Sequence, residues 1–222
     1  QASSSILRAF DAKVAAREAT HTACTCPACH RAKLTYSWRS QGHDADAFLP
    51  GEMILGDLCT SLPVASEGET IFLLLKDAGT KLSFVYPLRS KQPNGVADGL
   101  LKTVQYLQRL RLEMKCPPLP GPWTFHTDAG GEFNAKLLQT TLSNAGGVWD
   151  PLTQGRHLPA IESQIRRVLD GIRICLESSG LPQRFWAFAA QHWVFLKNLE
   201  YKPFRDARIT RGSPVEPHHF GE

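Results

Sequence analysis

The sequence lacks any apolar run long enough to cross a membrane. Its strongly apolar segment Ile71–Leu75 is far shorter than the roughly 20 residues that a membrane-spanning helix needs. The first residues also lack the basic and then apolar pattern of a secretory signal peptide. Because the chain begins with Gln1 rather than Met, we expect it to be a segment of a longer protein.

The six cysteines lack the pattern of a disulfide framework. Cys24, Cys26 and Cys29 are too close together to link distant loops, and the other three cysteines are isolated along the chain. Reduced cysteines are typical of proteins inside the cell. We therefore expect an intracellular protein.

Composition and charge favour a folded chain with a polyanionic partner. Hydrophobic residues make up 42% of the 222 residues and charged residues 21%, which is typical of a globular protein and excludes wholesale disorder. Residues 156–211 carry a net charge of +5, whereas residues 1–155 carry +1. Such a basic block indicates a polyanion such as nucleic acid, and a solvated helix face is the alternative.

Hydrophobic periodicity predicts a mixed α/β fold. Apolar and β-branched runs bounded by turns predict strands over residues 52–59, 70–79, 82–90, 123–128 and 146–150. Helical spacing of apolar residues predicts helices over residues 6–19, 96–114 and 134–145, after Pro159, and over residues 183–198.

Three acidic residues stand beside apolar segments. Asp57 lies within an apolar strand, Asp128 ends another strand, and Glu162 enters the first turn of an amphipathic helix. A buried carboxylate is costly unless it is paired or binds a metal ion, and Mg²⁺ and Mn²⁺ prefer oxygen ligands. The three residues together predict a site for divalent ions that act on a phosphodiester. The alternatives are a hydrogen-bonded core acid, a turn former and an acid favoured by the helix dipole, respectively.

Several motifs resemble the integrase region of copia-type (Pseudoviridae) LTR retrotransposons, within the retroviral integrase superfamily. The specific blocks are HTDAGGEF (126–133) and SGLPQRFWAFA (179–189). Weaker matches are CPACHRAK (26–33), GDLCTS (56–61) and SPVE (213–216), so the resemblance covers nearly the whole chain.

The resemblance implies three segments. Residues 51–200 would form an RNase H-like catalytic core, a mixed sheet flanked by helices. Residues 1–50 would form a partial N-terminal segment, helical with a zinc knuckle, and a linker. Residues 201–222 would form an extended tail.

The resemblance also implies a chemistry. Asp57, Asp128 and Glu162 match the family's catalytic triad, which binds two Mg²⁺ or Mn²⁺ ions. The implied reactions are the removal of nucleotides from a DNA 3′ end by water and the attack of the freed 3′ hydroxyl on a target phosphodiester. The chain is thus expected to be an integrase-type polynucleotidyl transferase.

The surroundings of the third acidic residue depart from the family pattern. Leu158 and Pro159 replace an Asn-Gly pair, Ser163 replaces an Arg, Ile165 replaces an Asn, and Ala129 replaces the Asn of the second motif. These changes leave open a domesticated, catalytically weak or inactive core that acts as a structural, assembly or nucleic-acid-binding subunit. A nuclease of the same fold acting on RNA–DNA hybrids is a third alternative, which the FWA helix and the CxxC pair disfavour.

Cys26 and Cys29 form a CxxC pair, which is half of a tetrahedral zinc site. In the family two upstream histidines complete the site. Here His21 is the one upstream histidine, so His21, Cys24 and His30 are candidates for the other Zn²⁺ ligands. Unliganded surface thiols are the alternative.

Arg156, Arg166, Arg167 and Arg173 are predicted to bind DNA. Arg166 and Arg173 share a helix face with Glu162, and Arg167 is adjacent, an arrangement suited to phosphate contacts. A surface pair between Glu162 and Arg166 is the alternative. The implied partners are duplex DNA ends, target DNA, further copies of the chain, and a larger polyprotein or assembly, with the nucleus as the compartment.

Overall fold

The computed structural model describes residues 48–60, 62–128, 133, 136–152 and 159–199. Its elements follow one another in the order β1 (Met53–Cys59), β2 (Ile71–Asp77), β3 (Ser83–Leu88), α1 (Pro93–Glu113), β4 (Trp123–Thr127), α2 (Lys136–Asn144), β5 (Gly147–Pro151), α3 (Pro159–Ser179), a short 3-10 helix (Gln183–Phe185) and α4 (Trp186–Leu199).

The five strands form one mixed sheet in the order β3-β2-β1-β4-β5. β2 runs antiparallel to both of its neighbours, whereas β1, β4 and β5 are parallel to one another. Helices cover both faces of the sheet. This arrangement confirms the predicted α/β class, a mixed sheet flanked by helices.

One face of the sheet packs against α1 and α2. The side chains on this face include Ile54 of β1 and Phe125 of β4, which are buried together with the apolar stripe of α1. Gly56 has no side chain because the Phe125 ring occupies the space: a Cβ atom at Gly56 would lie 2.6 Å from that ring. The close approach of β1 and β4 next to Asp57 therefore depends on glycine.

The other face packs against α3 and α4. Phe72 and Leu74 of β2 are fully buried there, together with Val168 of α3. The two helices approach closely because Gly171 presents no side chain, and a Cβ atom at Gly171 would meet the ring of Trp193 at 2.1 Å. α3 contacts β1 and β2, and α4 contacts β3, so these helices cover one side of this face.

A buried carboxylate, that of Asp77, links the loop before β1 to the β2–β3 turn. Asp77 accepts hydrogen bonds from the backbone amide of Gly51 (2.9 Å) and from the amide and hydroxyl of Thr80 (2.6 and 2.7 Å). Burial raises the pKa of Asp77, and the hydrogen bonds from Thr80 and Gly51 oppose that shift. Asp77 is thus a structural acid on the face opposite to Asp57.

Two of the predicted helices differ from the structure. α1 begins at Pro93, ahead of the predicted start at Val96, because proline suits the first turn of a helix. The helix predicted over residues 183–198 begins with a 3-10 turn and becomes α-helical only from Trp186, and Phe188 of α4 is 49% exposed. An apolar sequence alone did not show that α4 packs through one side only.

Candidate active site

Asp57 lies on β1 and faces the α3 side of the sheet. Side chains alternate along the strand, so Ile54 and Leu58 pack on the α1 face, while Leu55 and Cys59 pack on the α3 face. Asp57 is partly buried, and its Oδ1 atom accepts a hydrogen bond from the amide of Leu58 (2.7 Å). Burial and, second, the Asp57 carboxylate raise the pKa of the Cys59 thiol to about 11.

Asp128 directly follows β4 and stands level with Asp57. The parallel pairing of β1 and β4 ends at Gly56 opposite Thr127, so the next positions along the two strands are Asp57 and Asp128. Neighbouring strands lie about 4.8 Å apart, and laterally adjacent side chains of parallel strands share a face. The sheet therefore brings the first two predicted carboxylates to adjacent backbone positions.

Glu162 lies in the first turn of α3, as predicted, and is partly buried. Its neighbour Ile161 is buried in the same cluster as Cys59, which is two residues after Asp57 on β1. The helix thus begins on the side of the sheet to which Asp57 and Asp128 belong.

The carboxylates share this region without forming a ready-made metal site. Within residues 48–60, 62–128, 133, 136–152 and 159–199, no three His, Cys, Asp or Glu side chains are grouped closely enough to hold a metal ion. Asp57 instead turns Oδ1 toward its own strand. The backbone brings the elements that carry these carboxylates together, and the site residues stay a prediction.

A histidine–carboxylate pair lies beside Asp128 and escaped the sequence analysis. His126 Nδ1 lies 2.8 Å from Asp150 Oδ2, across the pairing of β4 with β5. His126 precedes Asp128 by two residues and so points to the same face. The HTD triplet was visible in the sequence, but its partner comes 24 residues later and required the strand register.

Two hydrogen bonds of the Thr127 side chain hold the backbone at Asp128. The Thr127 hydroxyl donates to the carbonyl oxygen of Asp128 (2.8 Å) and accepts from the indole nitrogen of Trp149 (3.0 Å). Thr127 is fully buried. A rigid β4–β5 pair therefore fixes the main chain from which the Asp128 carboxylate projects.

The predicted DNA-binding arginines differ in their surroundings. Arg166, Arg167 and Arg173 are exposed on α3, and Arg173 forms an ion pair with Asp170 (3.1 Å). Arg156 lies outside the described residues. DNA binding by the three described arginines stays a prediction. The ion pair with Asp170 already balances the charge of Arg173.

Lys76 adds a cation that the sequence analysis missed. It lies on β2, on the face covered by α3 and α4, and is partly buried. Burial and, second, the positive charges of Arg167 and Lys81 together lower the pKa of Lys76 to about 8. The sequence pattern shows Lys76 only as a residue near the end of an apolar strand. The effect of the Arg167 charge on its pKa depends on how α3 packs against the sheet.

Comparison with known proteins supports the resemblance. No protein-family model matches the chain. The chain is 23% identical over 135 residues to the Gag-Pol polyprotein of transposon Ty1-PR2 from Saccharomyces cerevisiae, an alignment that covers 60% of this chain and 7% of the polyprotein. The expected resemblance is thereby confirmed. The chain is similar to a copia-type retrotransposon protein.

A solved structure is similar as well, at lower sequence identity. The catalytic core domain of HTLV-2 integrase, in complex with magnesium and in a trimeric form, matches with a TM-score of 0.47 and 14% identity. The match covers 66% of this chain and 84% of that domain. The chain spans only a small part, 7%, of the length of the Ty1 polyprotein that it matches.

The predicted zinc ligands Cys26 and Cys29, with the candidates His21, Cys24 and His30, lie outside the described residues. Among the helices that the structure describes, none is long and apolar enough to span a membrane.

Proposed function

We propose that the chain is the core of an integrase-type polynucleotidyl transferase, which trims DNA 3′ ends and joins them to target DNA. The observation that carries the proposal is the register of β1 and β4, which brings Asp57 and Asp128 to adjacent positions on the side of the sheet where α3 presents Glu162. The similarity to a Ty1 polyprotein supports the same conclusion.

The donor set fits magnesium or manganese. Asp57, Asp128 and Glu162 offer carboxylate oxygens, the ligands that these hard cations prefer, and they would hold two such ions. Bound ions of this kind activate a water or hydroxyl nucleophile and stabilise the leaving oxygen of a phosphodiester. The three residues' own part is to set the position of the ions against the DNA strand, and Arg166 and Arg167 would bind its phosphates.

A manganese-dependent cleavage assay tests the proposal. A labelled duplex oligonucleotide and a supercoiled plasmid target would report 3′-end trimming and joining, respectively. We expect activity in the wild-type chain and none above background in Asp57→Asn, Asp128→Asn or Glu162→Gln, because each removes a charged ligand. Asp98→Asn is the matched control, since Asp98 is an exposed acid that pairs with Lys102 on α1, at 2.9 Å.

One observation favours a second candidate function. The described side chains do not group into a metal site, and Leu158, Pro159, Ser163 and Ile165 replace polar residues of the family pattern. A captured core that serves assembly or nucleic-acid binding without catalysis would have these features. Calorimetric titration with Mn²⁺ separates the two: equal, undetectable heats for the wild type and Asp128→Asn, together with no cleavage, would favour the non-catalytic subunit.

A further inference from the structure

β3 forms one edge of the sheet, and its outer backbone groups are available for a further strand. In the order β3-β2-β1-β4-β5, β3 has a strand on one side only within the part of the chain that the structure describes. The amide of Asp77 donates to the carbonyl oxygen of Leu82 (2.9 Å), which fixes the residues of β3 that pair with β2. By alternation, Ser83 and Val85 turn their amides and carbonyls outward.

A side chain takes the place of a neighbouring strand at Ser83. The Asn198 carboxamide accepts a hydrogen bond from the Ser83 amide (3.1 Å) and donates one to the Ser83 carbonyl oxygen (2.7 Å). At Val85, which is 7% exposed, no described residue makes the equivalent pair of bonds. The backbone groups of buried residues are nearly always paired, so the edge has an open pairing position at Val85.

The open position faces a pocket between β3 and α4. This α4–β3 pocket has a volume of about 490 Å³, and its lining includes Val85 of β3 and Gln191, Val194, Phe195 and Asn198 of α4. Ligand sites have volumes of roughly 300–1,000 Å³, so the pocket is large enough to hold side chains of a bound segment. It combines an apolar wall with a backbone edge, which is what an added strand requires.

α4 ends beside this pocket, and the chain continues from there to residue 222. The last residue of α4, Leu199, follows the pocket residue Asn198, whose pairing with Ser83 holds this end of the helix at the first residue of β3. Residues 200–222 lie outside the described residues. Attachment at this point gives a segment among them a high effective concentration at the pocket.

One part of residues 200–222 has the sequence of a short strand. Residues 204–213 contain no proline, whereas Pro203 precedes and Pro214 follows them. At the centre of this run are the β-branched residues Ile209 and Thr210, a type that is enriched in strands.

The run can reach the open position. Ile209 follows Leu199 by ten residues, which span up to about 33 Å when extended. Val85 lies two residues beyond Ser83, about 7 Å along the strand. The connection is therefore long enough to turn back from the end of α4 and enter the pocket.

We infer that residues 204–213 add to the sheet as a strand beside β3, with Ile209 in the α4–β3 pocket. The segment exchanges backbone hydrogen bonds with Val85, and it runs parallel to β3 because it enters at the Ser83 end. Pro87, the next outward position of β3, has no amide, so the added pairing is short. The docking needs no catalysis and does not depend on the proposed function.

Photo-crosslinking in the full chain tests the docking. A photo-crosslinking amino acid in place of Gln191, an exposed residue of the pocket lining, should form a bond to residues 204–213, identified by peptide mass spectrometry. Lys102, an exposed residue of α1 on the opposite face, is the control position and should give no crosslink to that run. The absence of a crosslink from position 191 to residues 204–213 would overturn the docking.

An equal mixture of isotope-labelled and unlabelled chains shows which molecule supplies the segment. We expect products that join peptides of one label, because the segment belongs to the same chain. Labels mixed at random would show that a second copy occupies the pocket and would overturn docking within one chain.

Hydrogen exchange measures the added backbone pair itself. The Val85 amide should exchange slowly in the wild type, and Ile209→Asp should speed its exchange at least about tenfold, because a carboxylate is costly in an apolar pocket and the added strand would leave. Val215→Asp, the same change outside residues 204–213, is the matched control and should keep the wild-type rate. The Phe84 amide, which pairs with β2, should keep its protection in both variants.

Equal Val85 exchange in the wild type and in Ile209→Asp would overturn the added strand. The crosslinking experiment leaves residues 204–213 unchanged, so it decides the docking even where Ile209→Asp disturbs the fold.

Discussion

The two faces of the sheet differ in how completely helices cover them. α1 and α2 close one face from β3 to β5, where an apolar cluster is buried and the carboxylate of Asp77 is hydrogen-bonded. On the other face α3 and α4 cover β1, β2 and β3, while β4 and β5 present His126, Val148 and Asp150 beside them. The first face, which we call the closed face, stabilises the fold. The second, the open face, combines a buried core with an exposed polar region.

The difference shows how one fold separates stability from chemistry. The carboxylates Asp57, Asp128 and Glu162 and the cations Lys76 and Arg167 all belong to the partly covered face. Charged groups tolerate this region because water or a ligand can reach them, whereas an unpaired charge on the closed face would be costly. Substitutions on the two faces should therefore affect different measurements.

The closed face should show the largest effect on stability. Phe125 is fully buried on β4 and packs edge-to-face against Phe133, with ring centroids 5.9 Å apart. Phe125→Ala should lower the free energy of unfolding by about 3–5 kcal/mol, because it leaves a cavity. Urea unfolding measures the change, and Val148→Ala, at a residue 50% exposed, is the control that should stay within about 0.5 kcal/mol. A loss below about 1 kcal/mol for Phe125→Ala would contradict this view of the closed face.

Sequence pattern predicted the closed face better than the open one. The continuous apolar run of β2 predicts a strand buried on both faces, and the 3.6-residue spacing of Val96, Leu100, Val104 and Leu107 predicts α1. Burial can be predicted from hydrophobic periodicity because every apolar side chain gains free energy by leaving water, whichever residues it packs against.

The open face depends on pairings that a single sequence does not contain. The motifs identified Asp57, Asp128 and Glu162, but not whether their side chains converge, because that requires strand register and rotamers. The pair of His126 with Asp150 and the effect of the Arg167 charge on Lys76 likewise join residues that are distant in sequence. Such contacts follow from the assembled sheet and helices rather than from local pattern.

The stability cost of Lys76 should depend on pH. Its pKa is lowered from 10.5 to about 8 in the folded chain, so between these values the unfolded chain binds more protons and stability rises with pH. At pH 7 Lys76→Met should be more stable than the wild type, and the difference should shrink as the pH approaches about 10. Urea unfolding across this pH range measures the difference. A difference that stays constant with pH would show that Lys76 carries no such cost.

The smallest expected effect concerns Arg173, an arginine of α3 whose charge is balanced by Asp170. Its ion pair with Asp170 is exposed on the arginine side, so Arg173→Ala should change the free energy of unfolding by no more than about 1 kcal/mol. Because Asp170 competes with phosphate for the guanidinium, the variant should flatten the salt slope, that of log affinity for a DNA duplex against log salt, by less than the 0.9 or so expected for the loss of one phosphate contact in Arg167→Gln. Asp170→Asn is the converse variant, since it removes the ion-pair partner of Arg173 and should steepen the salt slope. Equal slopes for Arg173→Ala and Arg167→Gln would show that ion pairing on α3 does not select the arginines that bind DNA.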